Sequence, residues 1–175
     1  MKRIVLYIFC LLTLVACGGK GPQRPSRWLG RSPEPDSAMM NLMELNRQMA
    51  TAADQELLRY VQSQDRPYAL YNGGVWVCTL DNGDLDLQPH RFGQYCVLHI
   101  RVYTFDNKRQ LLSDECGTYK VGESPLPLAL VDVVRDKCPG AHVEMLMPWY
   151  SAFGVRGNEN IPPYQNLLID LTIVE

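Results

Sequence analysis

The sequence predicts an α+β domain, an antiparallel sheet of about five strands curled around one short helix, with an N-terminal helical extension. Three observations predict it. Val143/Met145/Met147 and Leu167/Ile169/Leu171/Ile173 are two alternating apolar runs, the period-two pattern of strands with one buried face. Gly93 to Phe105 is a further strand, turned at Asp106-Asn107 and returned by Gln110-Leu111-Leu112-Ser113. Between hairpin and C-terminal strands, Leu128, Leu130, Val131 and Val134 recur at helical spacing. Pro125 and Pro127 open that helix, where a missing N–H costs nothing, and Cys138-Pro139-Gly140 stops it.

The chain of 175 residues, 46% of them hydrophobic, allows one domain plus appendages. A net charge of -2 with no basic stripe excludes a nucleic-acid binder. Lys2-Arg3 followed by an apolar run from Ile4 to Leu14 reads as a signal peptide over residues 1–16, too short for a comfortable span. Leu14-Val15-Ala16-Cys17 resembles the lipobox of bacterial lipoproteins, which implies cleavage before Cys17 and lipidation of its thiol. An uncleaved anchor is the rival reading. Both put the domain in the cell envelope, tethered to a membrane and facing the periplasm.

Residues 17–36 are rich in Gly, Pro, Ser and Arg and read as a flexible tether, with Trp28-Leu29 its only apolar spot. Residues 37–66 read as the helical extension, one bent helix or two short ones. Met39, Leu42, Met43, Leu45 and Met49 stripe the first part, while Thr51-Ala-Ala-Asp54 resembles a capping box ahead of Leu57, Leu58, Tyr60 and Val61. The Met-rich stripe either packs on its own domain or offers an adaptable surface to clients. Val75 to Leu80 alternates as a first strand and ends in Asp81-Asn82-Gly83, a solvated turn. With Cys10 and Cys17 set aside, Cys78, Cys96, Cys116 and Cys138 remain, as one or two disulfides or as free thiols.

The segment between the last two strands carries the strongest signal. It is long for a loop, rich in Gly, Pro and Asn, yet holds Trp149, Tyr150, Phe153 and Ile161, which suits a folded flap over a pocket. Pro148, Ala152-Phe153-Gly154, Arg156-Gly157, Ile161-Pro162-Pro163 and Leu168-Ile169-Asp170-Leu171 stand in one order and spacing. That order resembles the C-terminal signature of the FKBP-type peptidyl-prolyl cis-trans isomerases. Upstream, Gly93-Gln94, Val97 to His99 and Gly117-Thr118-Tyr119-Lys120-Val121-Gly122 extend the resemblance over residues 74–175. With the helical lead-in and Cys17, the chain resembles lipoproteins of the gliding-motility-associated isomerase type, with no inference of motility.

The resemblance implies a pocket in which Phe153, Leu130 and Ile161 take the catalytic positions. Tyr119, Leu126 and Ile169 would hold the substrate beside them, with Pro162 and Pro163 shaping the flap. It also marks departures. The family's pocket Tyr falls on Ile100, its Phe-Asp pair on Leu111-Leu112, and its floor Trp on Leu130. Phe153 lacks the hydroxyl of the family's Tyr, and the backbone donor beside the helix start falls near Pro127, which has no N–H.

No other chemistry competes. His90, His99 and His142 are scattered without metal spacing, no Cys-x-x-Cys is present, and neither Gly-x-Ser-x-Gly nor a phosphate-cradling loop occurs. Proline isomerisation needs no cofactor and no metal, because only rotation about an amide is required. The expectation is therefore a membrane-anchored isomerase of low activity that assists folding of proline-containing or unfolded envelope polypeptides. The alternative is a non-catalytic binding module on the same fold.

Overall fold

The computed structural model describes residues 37–106 and 108–175. The expected signal peptide, the tether, Cys17 and Asn107 of the hairpin turn lie outside the described residues. The chain divides after Asn41, and residues from Leu42 onward form one compact unit. No described helix is long and apolar enough to cross a membrane.

The helical extension is one continuous helix, α1 (Ser37–Ser63), and not two short ones. Thr51 does not cap a second helix, because its hydroxyl donates to the Arg47 carbonyl one turn earlier at 3.0 Å and so stays within the helix. Leu42, Met43 and Leu45 remain exposed, while Ala53 and Leu57 are buried.

Six strands follow in one antiparallel sheet: β1 (Tyr68–Leu70), β2 (Trp76–Asn82), β3 (Tyr95–Thr104), β4 (Leu111–Lys120), β5 (Ala141–Met147) and β6 (Leu167–Ile173), with α2 (Leu128–Asp136) between β4 and β5. Their order across the sheet is β1-β2-β5-β6-β3-β4. The α+β reading and the antiparallel sheet stand. The sixth strand is the edge strand β1, whose three residues are too few to set up an alternation.

Alternation along the strands builds two cores. Val143, Met145 and Met147 of β5, Leu167, Ile169, Leu171 and Ile173 of β6, and Leu98, Ile100 and Val102 of β3 face α2, whose Leu130, Val131, Val133 and Val134 are buried against them. Leu146 of β5 and Leu168 of β6 point the other way and pack under Leu57 of α1, with Tyr60, Val61, Trp76, Tyr103 and Phe105 around them. Covering both faces explains why all but one residue of β5 is buried. Cys78, Cys96, Cys116 and Cys138 are all free thiols, the first two buried.

Candidate functional site

On the α2 side of the sheet, a cavity of about 240 Å³ opens between the hairpin, the start of α2 and the flap that joins β5 to β6. Its floor is Ile100 and Val102 of β3 and Ile169 of β6. Leu126 and Leu130 close it from the helix side, Tyr119 from the hairpin, and Phe153 and Ile161 from the flap. Tyr119, Leu126, Leu130, Phe153, Ile161 and Ile169, singled out from sequence, thus come together. Ile161 and Leu130 are almost fully buried, while Phe153 is partly buried and packs on the core, leaving ring surface for the cavity.

Pro162 and Pro163 are placed differently. Both are exposed, and neither lines the cavity. Their backbone folds over Gly157, where an added Cβ would sit 2.1 Å from the Ile161 carbonyl oxygen and 2.8 Å from the Pro162 carbonyl carbon. The flap is thereby closed on itself. Asn158 Oδ1 accepts from the N–H groups of Asn160 and Ile161 at 2.9 and 2.7 Å, and Asn158 N–H donates to the Ile161 carbonyl at 2.9 Å. This short circuit holds the Ile161 side chain inward.

The flap is also moored from behind. Asn166, a buried polar residue, accepts from the Trp149 N–H at 3.0 Å through Oδ1 and donates from Nδ2 to Glu56 of α1 at 2.8 Å. Tyr150 donates to Asp54 of the same helix, and the Trp149 ring packs edge-on against Tyr164 with centroids 4.9 Å apart. Burial, followed by the Asp54 bond, pushes the Tyr150 phenol above its ordinary range, so the hydroxyl remains a donor.

The polar lining of the cavity lay outside the sequence reading: Ser113 and Glu115 of the hairpin, and Asn158 and Asn160 of the flap. Leu111 and Leu112 suggested that no carboxylate would face the pocket, yet β4 continues from Leu111 to Lys120 and, past an irregularity that leaves Leu112 unpaired, its register sets Ser113 beside Val102 and Glu115 beside Ile100. Both line the cavity, and the Ser113 hydroxyl donates to Glu115 Oε1 at 2.9 Å. Burial and then the neighbouring Glu115 raise the Tyr119 phenol, so it too stays protonated.

Hydrogen-bond donors at the helix start are scarce. Pro127 is the N-cap residue of α2 and has no N–H, and the Leu126 N–H is taken by the Ser124 carbonyl at 2.7 Å. The histidines lie elsewhere. His99 Nε2 is 2.6 Å from Asp114 and His142 Nε2 is 2.9 Å from Asp170. Neither lines the cavity. Among the described residues no cluster of His, Cys, Asp and Glu is arranged to hold a metal ion.

No protein-family profile matches the sequence, and no curated protein matches it. Solved structures do. The N-terminal domain of FKBP42 from Arabidopsis thaliana is similar at 21% identity and a TM-score of 0.55, covering 64% of this chain and 93% of its own. FkpA from Escherichia coli is similar at 12% identity and a TM-score of 0.60, over 86% of this chain and 76% of its own. A peptidyl-prolyl cis-trans isomerase from Pseudomonas syringae is similar at 11% identity and a TM-score of 0.58, over 74% of this chain and 93% of its own. A likeness this distant in sequence speaks to architecture, and in architecture the chain has the FKBP fold.

Proposed function

We propose that this protein is a lipid-anchored FKBP-type peptidyl-prolyl cis-trans isomerase of low turnover, acting on proline-containing segments of envelope polypeptides at the periplasmic side of a membrane. The observation that carries the reading is the convergence of Tyr119, Leu126, Leu130, Phe153, Ile161 and Ile169 on one apolar cavity roofed by a self-bonded flap. The anchor is Cys17, and the clients are unfolded or proline-containing chains delivered to the envelope.

Rotation about an X-Pro bond crosses a barrier of about 18–20 kcal/mol because the amide loses resonance when twisted. No bond is broken and no proton moves. The catalyst has only to hold the twisted amide better than either planar isomer. A proline ring seated between Phe153, Leu130 and Ile161 fixes one side of the bond while the other side turns. The twisted carbonyl is less polar than the planar one, so the apolar walls favour it relative to water.

Low turnover follows from the donors this site lacks. Phe153 has no hydroxyl and Pro127 no N–H, and each neutral hydrogen bond is worth about 0.5–1.5 kcal/mol, so two cost roughly fivefold to two-hundredfold in rate. The same two residues support a second reading, a binding module that keeps the cavity for apolar or proline-containing segments without turnover.

The test is the cis-to-trans exchange of a short Leu-Pro peptide followed by NMR with and without the protein. The isomerase accelerates exchange, and Phe153→Ala slows it. No acceleration, together with suppressed aggregation of an unfolded client, selects the binding module. No acceleration and no effect on a client overturns both.

A further inference from the structure

We infer that Glu115 makes this cavity selective for proline segments that carry a lysine or arginine beside the proline. The inference rests on the cavity being a proline-segment site and goes beyond it by naming the substrate class.

Among the described residues that line the cavity, Glu115 is the one that carries a charge. Its place is dictated by the sheet. Antiparallel partners share a face, and Glu115 stands opposite Ile100, whose side chain is part of the cavity floor. The carboxylate therefore lies on the concave side and not on the outer face of the hairpin. Its like-charged chain neighbour Asp114 is already paired, with His99 at 2.6 Å. Among the described residues no Lys, Arg or His forms an ion pair with Glu115, which accepts only the Ser113 hydroxyl, at 2.9 Å. The carboxylate thus stands at the rim of an apolar cavity, oriented by Ser113 and without an ion-pair partner among the described residues.

A basic side chain next to a bound proline fits that arrangement in two ways. Its methylene stem packs along Tyr119 and Val102, and its charged end reaches the exposed Glu115 at the mouth. An acidic side chain in the same place meets a like charge. Because Glu115 is exposed to solvent, the preference is modest, about twofold to fivefold for a cation over a neutral side chain of the same length.

The experiment measures affinities of the full chain for three peptides by NMR titration, identical except for Lys, norleucine or Glu immediately before the proline, and for a fourth with Lys immediately after it. The expected result is that at least one Lys peptide binds better than the norleucine peptide and the Glu peptide binds worse. The Lys-to-norleucine ratio then falls to about one in Glu115→Gln and in high salt, whereas the amide oxygen of the substituted side chain still accepts from Ser113. Equal binding of all four peptides, or a Lys preference that survives Glu115→Gln, overturns the inference and leaves the cavity's function standing. Binding of none of them overturns both.

Discussion

Asn166 and Glu56 meet at 2.8 Å, and that contact joins the N-terminal helix to the base of the flap that roofs the cavity. Asn166 spends its other side-chain atom on the buried Trp149 N–H, so one amide holds three parts of the chain together: α1, the start of the flap and its end. Asn166→Ala strands the Trp149 N–H away from water and is expected to cost about 1–3 kcal/mol in urea unfolding. Glu56→Gln, which keeps an acceptor, is expected to cost less. Equal losses in the two variants would mean that the Trp149 bond is not what matters.

Leu57 is completely buried on Leu146 and Leu168. Leu57→Ala is expected to destabilise the whole domain by about 2–5 kcal/mol, with one cooperative transition by fluorescence and circular dichroism. A helix that melted separately, ahead of the sheet, would show that α1 is not part of the same folding unit.

Gly157 sits at φ +63 with the Ile161 carbonyl against its Cα. Gly157→Ala forces the flap apart, since the added carbon must push that carbonyl away and the left-handed backbone costs about 1–2 kcal/mol. The expected readout is local: NMR shifts of Ile161 and Phe153 move and peptide acceleration falls, while shifts of the Leu57 cluster stay in place. A variant with wild-type Ile161 shifts would contradict the closed flap.

Tyr71 donates to the Asp136 carboxylate at the end of α2. That bond and then Lys137 hold the Asp136 carboxyl below the usual carboxylate range. A carboxylate with a depressed folded-state pKa stabilises the fold above its unfolded pKa and loses that contribution as pH falls through the folded value. Tyr71→Phe is therefore expected to be less stable than wild type at neutral pH, and the gap narrows on acidification to about pH 3. Urea midpoints across that range check it, and a gap that widens in acid would reverse the assignment.

Much of this was legible beforehand for physical reasons. Strands β5 and β6 turn Val143/Met145/Met147 and Leu167/Ile169/Leu171/Ile173 to the α2 side, which the alternation made plain, whereas burial of Leu146 and Leu168 on the other face under Leu57 went unread because one buried face was expected. The apolar wall of the cavity followed from the ordered motif through Phe153 and Ile161. Polar content did not. The run Ser113-Asp114-Glu115-Cys116 has no apolar rhythm, because edge strand β4 faces solvent along most of its length, and so the carboxylate at 115 stayed hidden. Pro162 and Pro163 looked like a roof from their position in the motif, whereas their rings point outward and it is their backbone that turns the flap. The continuity of α1 was masked by Thr51, a residue that caps helices as readily as it back-bonds within them.

The strand order has one more implication. β6, the sixth strand in chain order, lies between β5 and β3 and hydrogen-bonds to both. Until Leu167–Ile173 arrives, the hairpin and the helix-bearing half share no continuous ladder, so a growing chain cannot complete the domain from its N-terminus onward. Completion of the sheet waits for Leu167–Ile173, and until that strand arrives the apolar edges of β3 and β5 that flank it have no partner.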